Sequence, residues 1–241
     1  MPDLDETRSR RALCDDVLLL HSVGLAPVVV HGGHDAAHPL GAGGPGAVPH
    51  EPRGGELRNG SMGSELVTIL NRAGGLAVGL SGKDAALLRA RPRAAPAGAE
   101  QAEAAELVEV NKMFLESLIS QHYIPVISPV GLGPDGEIFH LDADAVAAGI
   151  ARSLGADKLM YLADAPGIVE AGELVSDLLP ATLRSKLDAG AAGAMAGKAT
   201  AALAALAGGV RAVHLIDGRI PHNIIAELFT DTGVGTIIRA E

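Results

Sequence analysis

Short apolar runs alternate with longer segments of helical periodicity along most of this 241-residue chain. A run as short and as continuously apolar as 27–30 is typical of a strand that is covered on both faces. This alternation predicts an α/β fold with a mainly parallel sheet. Strands are predicted at 27–30, 76–80, 124–128, 158–162 and 210–216, with a last edge strand at 237–238, and helices at 11–23, 64–73, 111–122, 141–154 and 194–207.

Composition and charge exclude several classes of protein. Hydrophobic residues make up 48% of the chain and aromatic residues 2%, so an aliphatic core is expected. A formal net charge of −10 argues against nucleic acid as a partner, because phosphate binding needs a surplus of Lys and Arg. The single cysteine, Cys14, excludes an intramolecular disulfide. No apolar run reaches the roughly 18–20 residues of a membrane span, and residues 1–16 lack a signal-peptide pattern, so a cytoplasmic protein without a membrane partner is expected.

Two segments have the composition of loops. Residues 31–61 are rich in Gly and Pro and show no hydrophobic periodicity, which indicates a loop or a disordered insert. Residues 89–105 are rich in Ala, Pro and Arg, which indicates a mobile hairpin or loop.

The first candidate binding motif is the glycine pair after the predicted strand 27–30. Gly32 and Gly33 let backbone N–H groups approach a carboxylate or phosphate closely. An ordinary strand-to-loop turn explains the same residues, and a short glycine pair alone favours that explanation.

The second motif is a pair of acidic residues, Asp142 and Asp144, at the start of the helix predicted at 141–154. Carboxylates at this position cap a helix. Alternatively, Asp144 orients a catalytic lysine or holds charge near a metal–nucleotide complex. The motif alone supports both explanations equally.

The third motif is the segment from Asp164 to Gly167 after the strand predicted at 158–162. The carboxyl ends of parallel strands are where α/β folds bind ligands. A turn stabilised by the Asp side chain is the simpler explanation.

The fourth motif is Lys198, preceded by the segment Gly193–Gly197, which is small except for Met195, at the start of the helix predicted at 194–207. Small residues leave room for phosphates at a helix N-terminus, and a lysine there stabilises a transferring phosphoryl group. The spacing is not that of a Walker A loop. A solvated lysine on an Ala-rich helix is the alternative.

Taken in order, these segments resemble successive blocks of acetylglutamate kinases in the amino-acid kinase family. The blocks are PVVVHGG, AVGLSGKD, IPVISPVG, DGEIFHLDADAVA, GADKLMYLADAPGI, AMAGKATAALAALAGGV and AVHLIDGRIPH. The resemblance implies a three-layer αβα sandwich forming one continuous catalytic domain. Its parts are a substrate and dimerisation lobe at 1–109, with a Gly/Pro-rich insert at 34–60, and a nucleotide-binding lobe at 110–241. The implied reaction moves the γ-phosphoryl group of MgATP to the side-chain carboxylate of N-acetyl-L-glutamate, in arginine biosynthesis.

The resemblance also assigns roles to individual residues. It implies that Lys198 and Asp144 are catalytic, and that Lys198 also binds nucleotide. It implies no metal-ligating side chain, since Mg²⁺ is carried by ATP, and it is compatible with a homodimer. The implied substrate-binding residues are Gly32, Gly33, His34, Arg58 and His140, and the other implied nucleotide-binding residues are Asp164 and Gly167.

Several departures from the family pattern bear on activity. The family begins with a strand that carries Lys-x-Gly-Gly, and this first strand is expected to be missing here. His34 replaces a glycine, and His140 replaces a substrate-binding asparagine. Impaired or absent activity of this chain is therefore expected. The alternatives are a kinase for a related acylated amino acid, an inactive pseudokinase that binds a nucleotide or effector as the partner of another chain, and a chain without a stable fold.

Overall fold

The protein contains two groups of parallel strands. The computed structural model describes residues 4–32, 54–93, 105–230 and 233–239. The chain divides into two compact units. One unit combines Met1–Leu25 with Ala147–Glu241, and the other is Ala26–Val146. These boundaries differ from those of the predicted lobes, 1–109 and 110–241, because the N-terminal helix packs with the C-terminal part of the chain. The substrate and nucleotide roles of the lobes stay a prediction.

Helices and strands alternate along the chain, which confirms the α/β class. The helices are α1 (Leu4–Ser22), α2 (Gly54–Arg72), α3 (Lys112–Ser120), α4 (Ala143–Leu154), α5 (Pro180–Asp188), α6 (Ala196–Ala207) and α7 (Asn223–Phe229). The strands are β1 (Val29–Val30), β2 (Ala77–Ser81), β3 (Leu88–Pro92), β4 (Ala105–Val110), β5 (Ile124–Ser128), β6 (Val130–Leu132), β7 (Ile138–His140), β8 (Lys158–Ala163), β9 (Val169–Glu170), β10 (Glu173–Leu174), β11 (Asp177–Leu178), β12 (Ala212–Asp217) and β13 (Thr236–Arg239).

The unit Ala26–Val146 is built on a parallel sheet in the order β1–β5–β2. Strand β5 lies in the middle, and its first four residues are buried, as expected for a strand covered on both faces. Helices α2 and α3 pack on β5. A second sheet has the order β4–β3–β6–β7 and combines two antiparallel pairs with the parallel pair β3–β6.

The other unit contains a sheet in the order β11–β13–β12–β8, in which β12 and β8 are parallel. Successive side chains of β12 point to opposite faces of this sheet. Val213 and Leu215 pack into a core with α4, α5 and α6, whereas Ile216 packs with Leu20 of α1 and Ile224 of α7. Helices therefore cover both faces of the sheet, which gives this unit the predicted three-layer αβα arrangement.

Helix α6 lies against β12 through a face made of alanine. Ala199, Ala202 and Ala205 are 0% exposed, and such small side chains let a helix approach a sheet closely. The helix ends at Gly208, and Gly209 adopts a φ of 99°, a backbone conformation that favours glycine. The helix therefore ends where the predicted helix 194–207 ends.

Some predicted elements differ from the structure. Helix α1 begins at Leu4 rather than at Arg11. Helix α2 begins at Gly54, ten residues before the predicted start at Ser64, so 54–60 is helical rather than part of a loop. Leu66 and Leu70 are buried, and α2 packs on β2 and β5. This packing stabilises the C-terminal half of the helix, from which further turns extend toward Gly54 despite the glycines. Strand β13 is not an edge strand, because it pairs with β12 on one side and with β11 on the other.

The predicted hairpin at 89–105 is confirmed in part. Strands β3 and β4 pair antiparallel, from Leu88 opposite Val110 to Pro92 opposite Ala105. Residues 94–104 and the part of the predicted insert from 34 to 53 lie outside the described residues. Within the described ranges, no helix is both long enough and apolar enough to span a membrane.

Candidate active site

Lys198 lies in the first turn of α6, where the helix itself provides no acceptors for the backbone N–H groups. The N–H of Ala196 donates to the carbonyl oxygen of Gly193 in the preceding turn. Residues Gly193–Met195 form a 3₁₀ turn that leads into this helix. A Cβ atom added at Gly193 or Gly197 would meet nothing within 4 Å, so the space at the start of the helix is open. A helix N-terminus of this kind attracts a phosphate group, and the ammonium of Lys198 adds positive charge.

The side chain of Lys198 lies over the ring of Tyr161, with Nζ 5.7 Å from the ring centroid. Tyr161 is in β8 and is 4% exposed, so its position is fixed by the core. The ring face attracts the ammonium group. Sequence reasoning missed Tyr161, although it is one of only two tyrosines and stands in the apolar run LMYLA.

Asp164 directly follows β8, at the carboxyl end of the parallel pair β8–β12. It is exposed and lines a cleft of about 620 Å³ together with Arg8 and Arg10 of α1 and Arg219. The guanidinium of Arg219 donates to both carboxylate oxygens of Asp217, at 2.9 and 2.7 Å. This side-chain hydrogen bond lowers the pKa of Asp217 from its ordinary value. The cleft therefore brings charged groups of both signs to the edge of the sheet where a ligand is expected.

Gly167, in the same turn as Asp164, points into the protein. It is buried, and its φ is 146°. A Cβ atom at this position would lie 2.5 Å from Oγ1 of Thr236 and 3.0 Å from the Thr236 nitrogen. Close packing against β13 is therefore sufficient to require glycine here, and a direct contact with nucleotide stays a prediction.

The two acidic residues at the start of α4 have different surroundings. Asp142 precedes the helix, and its Oδ1 accepts a hydrogen bond of 2.7 Å from the backbone N–H of Ala145, which is an N-cap. Asp144 lies inside the first turn and is half-buried. The capping explanation therefore holds for Asp142, and the catalytic role of Asp144 stays a prediction.

Gly32 follows β1 and lies beside the start of α4, where a Cβ atom added to it would be 3.1 Å from Cβ of Ala143. The structure thus brings Gly32 close to the helix turn that carries Asp144. Sequence reasoning missed the preceding residue, His31, which is 6% exposed. Its Nδ1 has no hydrogen-bond partner among the described residues, and burial lowers the pKa of this histidine.

The remaining predicted substrate residues are only partly placed. His140 is the last residue of β7, is half-buried and pairs with Val130. Arg58 lies in α2, but its side chain is outside the described part of the structure. Gly33 and His34 lie outside the described residues. Lys198, Asp164 and Gly167 belong to one compact unit, and Gly32, His140 and Asp144 belong to the other.

A buried hydrogen-bonded pair that the sequence did not predict joins β12 to α7. Nδ1 of His214 lies 2.7 Å from Oε1 of Glu227, and both side chains are buried. A carboxylate only accepts hydrogen bonds, so Nδ1 of His214 carries the proton. Burial lowers the pKa of His214, against the opposing effect of this hydrogen bond. The histidine in the apolar strand AVHLID was the sequence signal for a buried polar contact.

The chain belongs to the amino acid kinase family, whose family model matches residues 4–217. It is 41% identical over 250 residues to a protein named acetylglutamate kinase from Desulfitobacterium hafniense, covering 93% of this chain and 84% of that protein. A second protein of that name, from Pelotomaculum thermopropionicum, is 38% identical, and the match covers 98% of this chain and 88% of that protein. The resemblance that the sequence blocks indicated is thereby confirmed.

Among solved structures, the chain is similar to N-acetylglutamate synthase from Neisseria gonorrhoeae in complex with coenzyme A and N-acetyl-glutamate. The TM-score is 0.78 and the sequence identity 27%. The match covers 97% of this chain but 56% of the synthase chain. This structure supports the predicted fold.

Proposed function

We propose that this chain is an acetylglutamate kinase, which transfers the γ-phosphoryl group of ATP to the side-chain carboxylate of N-acetyl-L-glutamate. Relatives at 41% and 38% identity that carry this name over most of the chain support the proposal. The observation that carries it in the structure is Lys198 at the open N-terminus of α6, held over the ring of Tyr161.

The proposed chemistry is a single in-line displacement. A carboxylate oxygen of acetylglutamate attacks the γ-phosphorus, a new O–P bond forms, and the bond to the β–γ bridging oxygen breaks with release of ADP. No covalent enzyme intermediate is required, so positioning and positive charge supply the catalysis. Lys198 and the N-terminal end of α6 would stabilise the negative charge on the transferring group.

The other predicted residues take roles that follow from their chemistry. Asp144 would orient catalytic cations, and the backbone at Gly32 would contact the acyl substrate. Asp164 lines the cleft at the end of β8 and would contact the nucleotide. Among the described residues, no group of three or more His, Cys, Asp or Glu is placed to hold a metal ion, and Mg²⁺ enters the proposal bound to the phosphates of ATP.

The proposal gives the chain a small-molecule substrate in arginine biosynthesis and a place in the cytoplasm. Association into a homodimer is part of it, as the family resemblance implies. Neither nucleic acid nor a membrane is needed for the proposed reaction.

The experiment is to incubate the purified chain with MgATP, an acyl acceptor and hydroxylamine, which traps an acyl phosphate as a stable hydroxamate. The acceptors are N-acetyl-L-glutamate, N-acetyl-L-aspartate, N-acetyl-L-2-aminoadipate and L-glutamate. We expect hydroxamate and ADP in equal amounts, with the highest kcat/KM for N-acetyl-L-glutamate. A higher kcat/KM for another acceptor would reassign the substrate. Nucleotide binding without any hydroxamate would instead identify an inactive nucleotide-binding chain.

A further inference from the structure

Thr236 is a fully buried hydroxyl residue that connects three segments of the chain. It is the first residue of β13 and is 0% exposed. Its Oγ1 accepts a hydrogen bond of 2.9 Å from the backbone N–H of Ile168 and donates one of 2.7 Å to the carbonyl oxygen of Val175. Both hydrogen bonds reach more than 60 residues along the sequence, so they fix the tertiary position of the turn that begins at Asp164.

The turn is fitted closely around this hydroxyl group. A Cβ atom at Gly167 would lie 2.5 Å from Oγ1 of Thr236. Ile168 follows Gly167, and its backbone N–H donates the hydrogen bond that Oγ1 of Thr236 accepts. The backbone N–H of Val175 donates a hydrogen bond of 2.8 Å to the carbonyl oxygen of Ile168. The two hydrogen-bond partners of Thr236 are therefore also hydrogen-bonded to each other. The hydroxyl therefore closes a compact cluster in which the backbone of the turn has little freedom.

Thr236 lies at the edge of the sheet where the candidate nucleotide site begins. It pairs with Leu215 near the carboxyl end of β12, and β12 runs parallel to β8. The backbone N–H of Gly218 extends this edge with a hydrogen bond of 2.8 Å to the carbonyl oxygen of Ala163. Asp164, one residue further, faces the cleft that Arg219 also lines. Displacement of the turn would therefore displace a wall of the cleft.

The segment before Thr236 is itself held by a buried carboxylate. Oε2 of Glu227 accepts hydrogen bonds from the backbone N–H groups of Val234 and Gly235, at 2.7 and 3.0 Å. Oε1 of Glu227 is bonded to Nδ1 of His214. The backbone before Thr236 is thus anchored to α7 and β12. If the hydroxyl of Thr236 is lost, the 164–168 turn is therefore the part that must move.

We propose that Thr236 is a positioning residue for nucleotide binding: its hydroxyl sets the place of the 164–168 turn and so the affinity for MgATP. This inference rests on the proposed kinase function. Replacement by valine keeps the shape of the side chain but leaves the N–H of Ile168 and the carbonyl of Val175 without this partner in a buried place. The backbone of the turn would then move to satisfy these groups elsewhere.

The test compares the wild type with Thr236→Val, Thr236→Ser and Thr236→Cys, and uses Thr68→Val as a matched control. The hydroxyl of Thr68 is exposed and bonds within α2 to Ser64. Calorimetry with MgATP gives Kd, steady-state kinetics give both KM values and kcat, and thermal melts give Tm. We expect Thr236→Val to raise Kd and KM for MgATP about tenfold, as loss of a buried hydrogen bond implies. The KM for N-acetyl-L-glutamate should stay unchanged, Thr236→Ser should restore Kd, and Thr68→Val should match the wild type.

A lower Tm in Thr236→Val with unchanged Kd and KM for MgATP would overturn the proposal, because it would show a purely structural role. If Thr236→Val does not fold, Thr236→Cys decides, since a thiol is a weaker donor of similar size. An unchanged Kd in Thr236→Cys would then overturn the inference, and a raised Kd restored by serine would support it. A wild-type chain that does not bind MgATP would overturn the kinase proposal itself, whatever the variants do.

Discussion

The ammonium nitrogen of Lys198 lies 5.7 Å from the centroid of the Tyr161 ring. The lysine is in the first turn of α6, and the tyrosine is buried in β8, the strand that leads to Asp164. The aromatic face therefore limits where a flexible lysine side chain places its charge. This contact joins the two motifs of the nucleotide side that the sequence indicated separately.

Replacing Tyr161 with leucine should lower kcat more than it changes either KM. The cation–π contact is worth about 0.5–1 kcal/mol, so a roughly two- to fivefold decrease in kcat is expected. Tyr161→Phe keeps the ring face and should retain most of the wild-type kcat. Steady-state kinetics measure both variants, and a Tyr161→Phe variant as impaired as Tyr161→Leu would show that the ring face is not what matters.

The two acidic residues at the start of α4 should separate stability from activity. Asp142→Ala removes the N-cap of the helix and should lower the free energy of unfolding by about 1 kcal/mol. Asp144→Asn should instead decrease kcat. Urea denaturation and the hydroxamate assay measure the two effects. If Asp144→Asn retained full kcat, the catalytic assignment of Asp144 would be wrong.

The free energy of unfolding should decrease as the pH falls below about 6.5. Burial lowers the pKa of His214 from its ordinary value of 6.5, so the folded chain binds fewer protons than the unfolded chain below that pH. Lys158 and Arg239 lower this pKa further, whereas Glu227 opposes them. Burial would raise the pKa of Glu227, but hydrogen bonds from His214 and from two backbone N–H groups lower it overall from 4.5. Its contribution to stability is therefore lost at more acidic pH than that of His214.

Urea denaturation between pH 5 and pH 8 tests this pH dependence. His214→Asn keeps a hydrogen-bond donor for Glu227 but does not titrate. The slope of its unfolding free energy against pH should therefore be smaller than that of the wild type by up to about 1.4 kcal/mol per pH unit. His31 is also buried with a lowered pKa and should leave a residual slope. His122→Asn is the matched control, because His122 is exposed and its φ of 62° suits asparagine. Equal slopes in the wild type and His214→Asn would contradict the role of the buried pair.

Sequence patterns predicted most of the fold because hydrophobic periodicity is a local property. The strand 124–128 was predicted with the bounds that the structure gives, since its residues are buried on both faces. The start of α2 at Gly54 was missed, because the glycines there obscure a helix that tertiary packing supports. Strand β13 was predicted as an edge, because its pairing with β11 depends on residues some 60 positions away.

The candidate site could be predicted only as separate motifs. Lys198 and Asp164 stood out from local spacing, because a lysine at a helix start and an aspartate after a strand are visible in sequence. Tyr161 and Thr236 were missed, because their contacts exist only in the three-dimensional fold. Gly167 shows the reverse case: its motif indicated a ligand, and the structure gives a packing reason for the glycine.

The most direct test of the account compares ADP formation by the wild type, Lys198→Ala and Lys112→Ala with MgATP and N-acetyl-L-glutamate. Lys112 forms an exposed ion pair with Glu116 on α3 and is the matched lysine control. We predict ADP formation that depends on N-acetyl-L-glutamate, unchanged in Lys112→Ala and reduced about 10²- to 10³-fold in Lys198→Ala. Acetylglutamate-dependent turnover that survives in a folded Lys198→Ala variant would contradict the placement of the phosphoryl-transfer site at the start of α6.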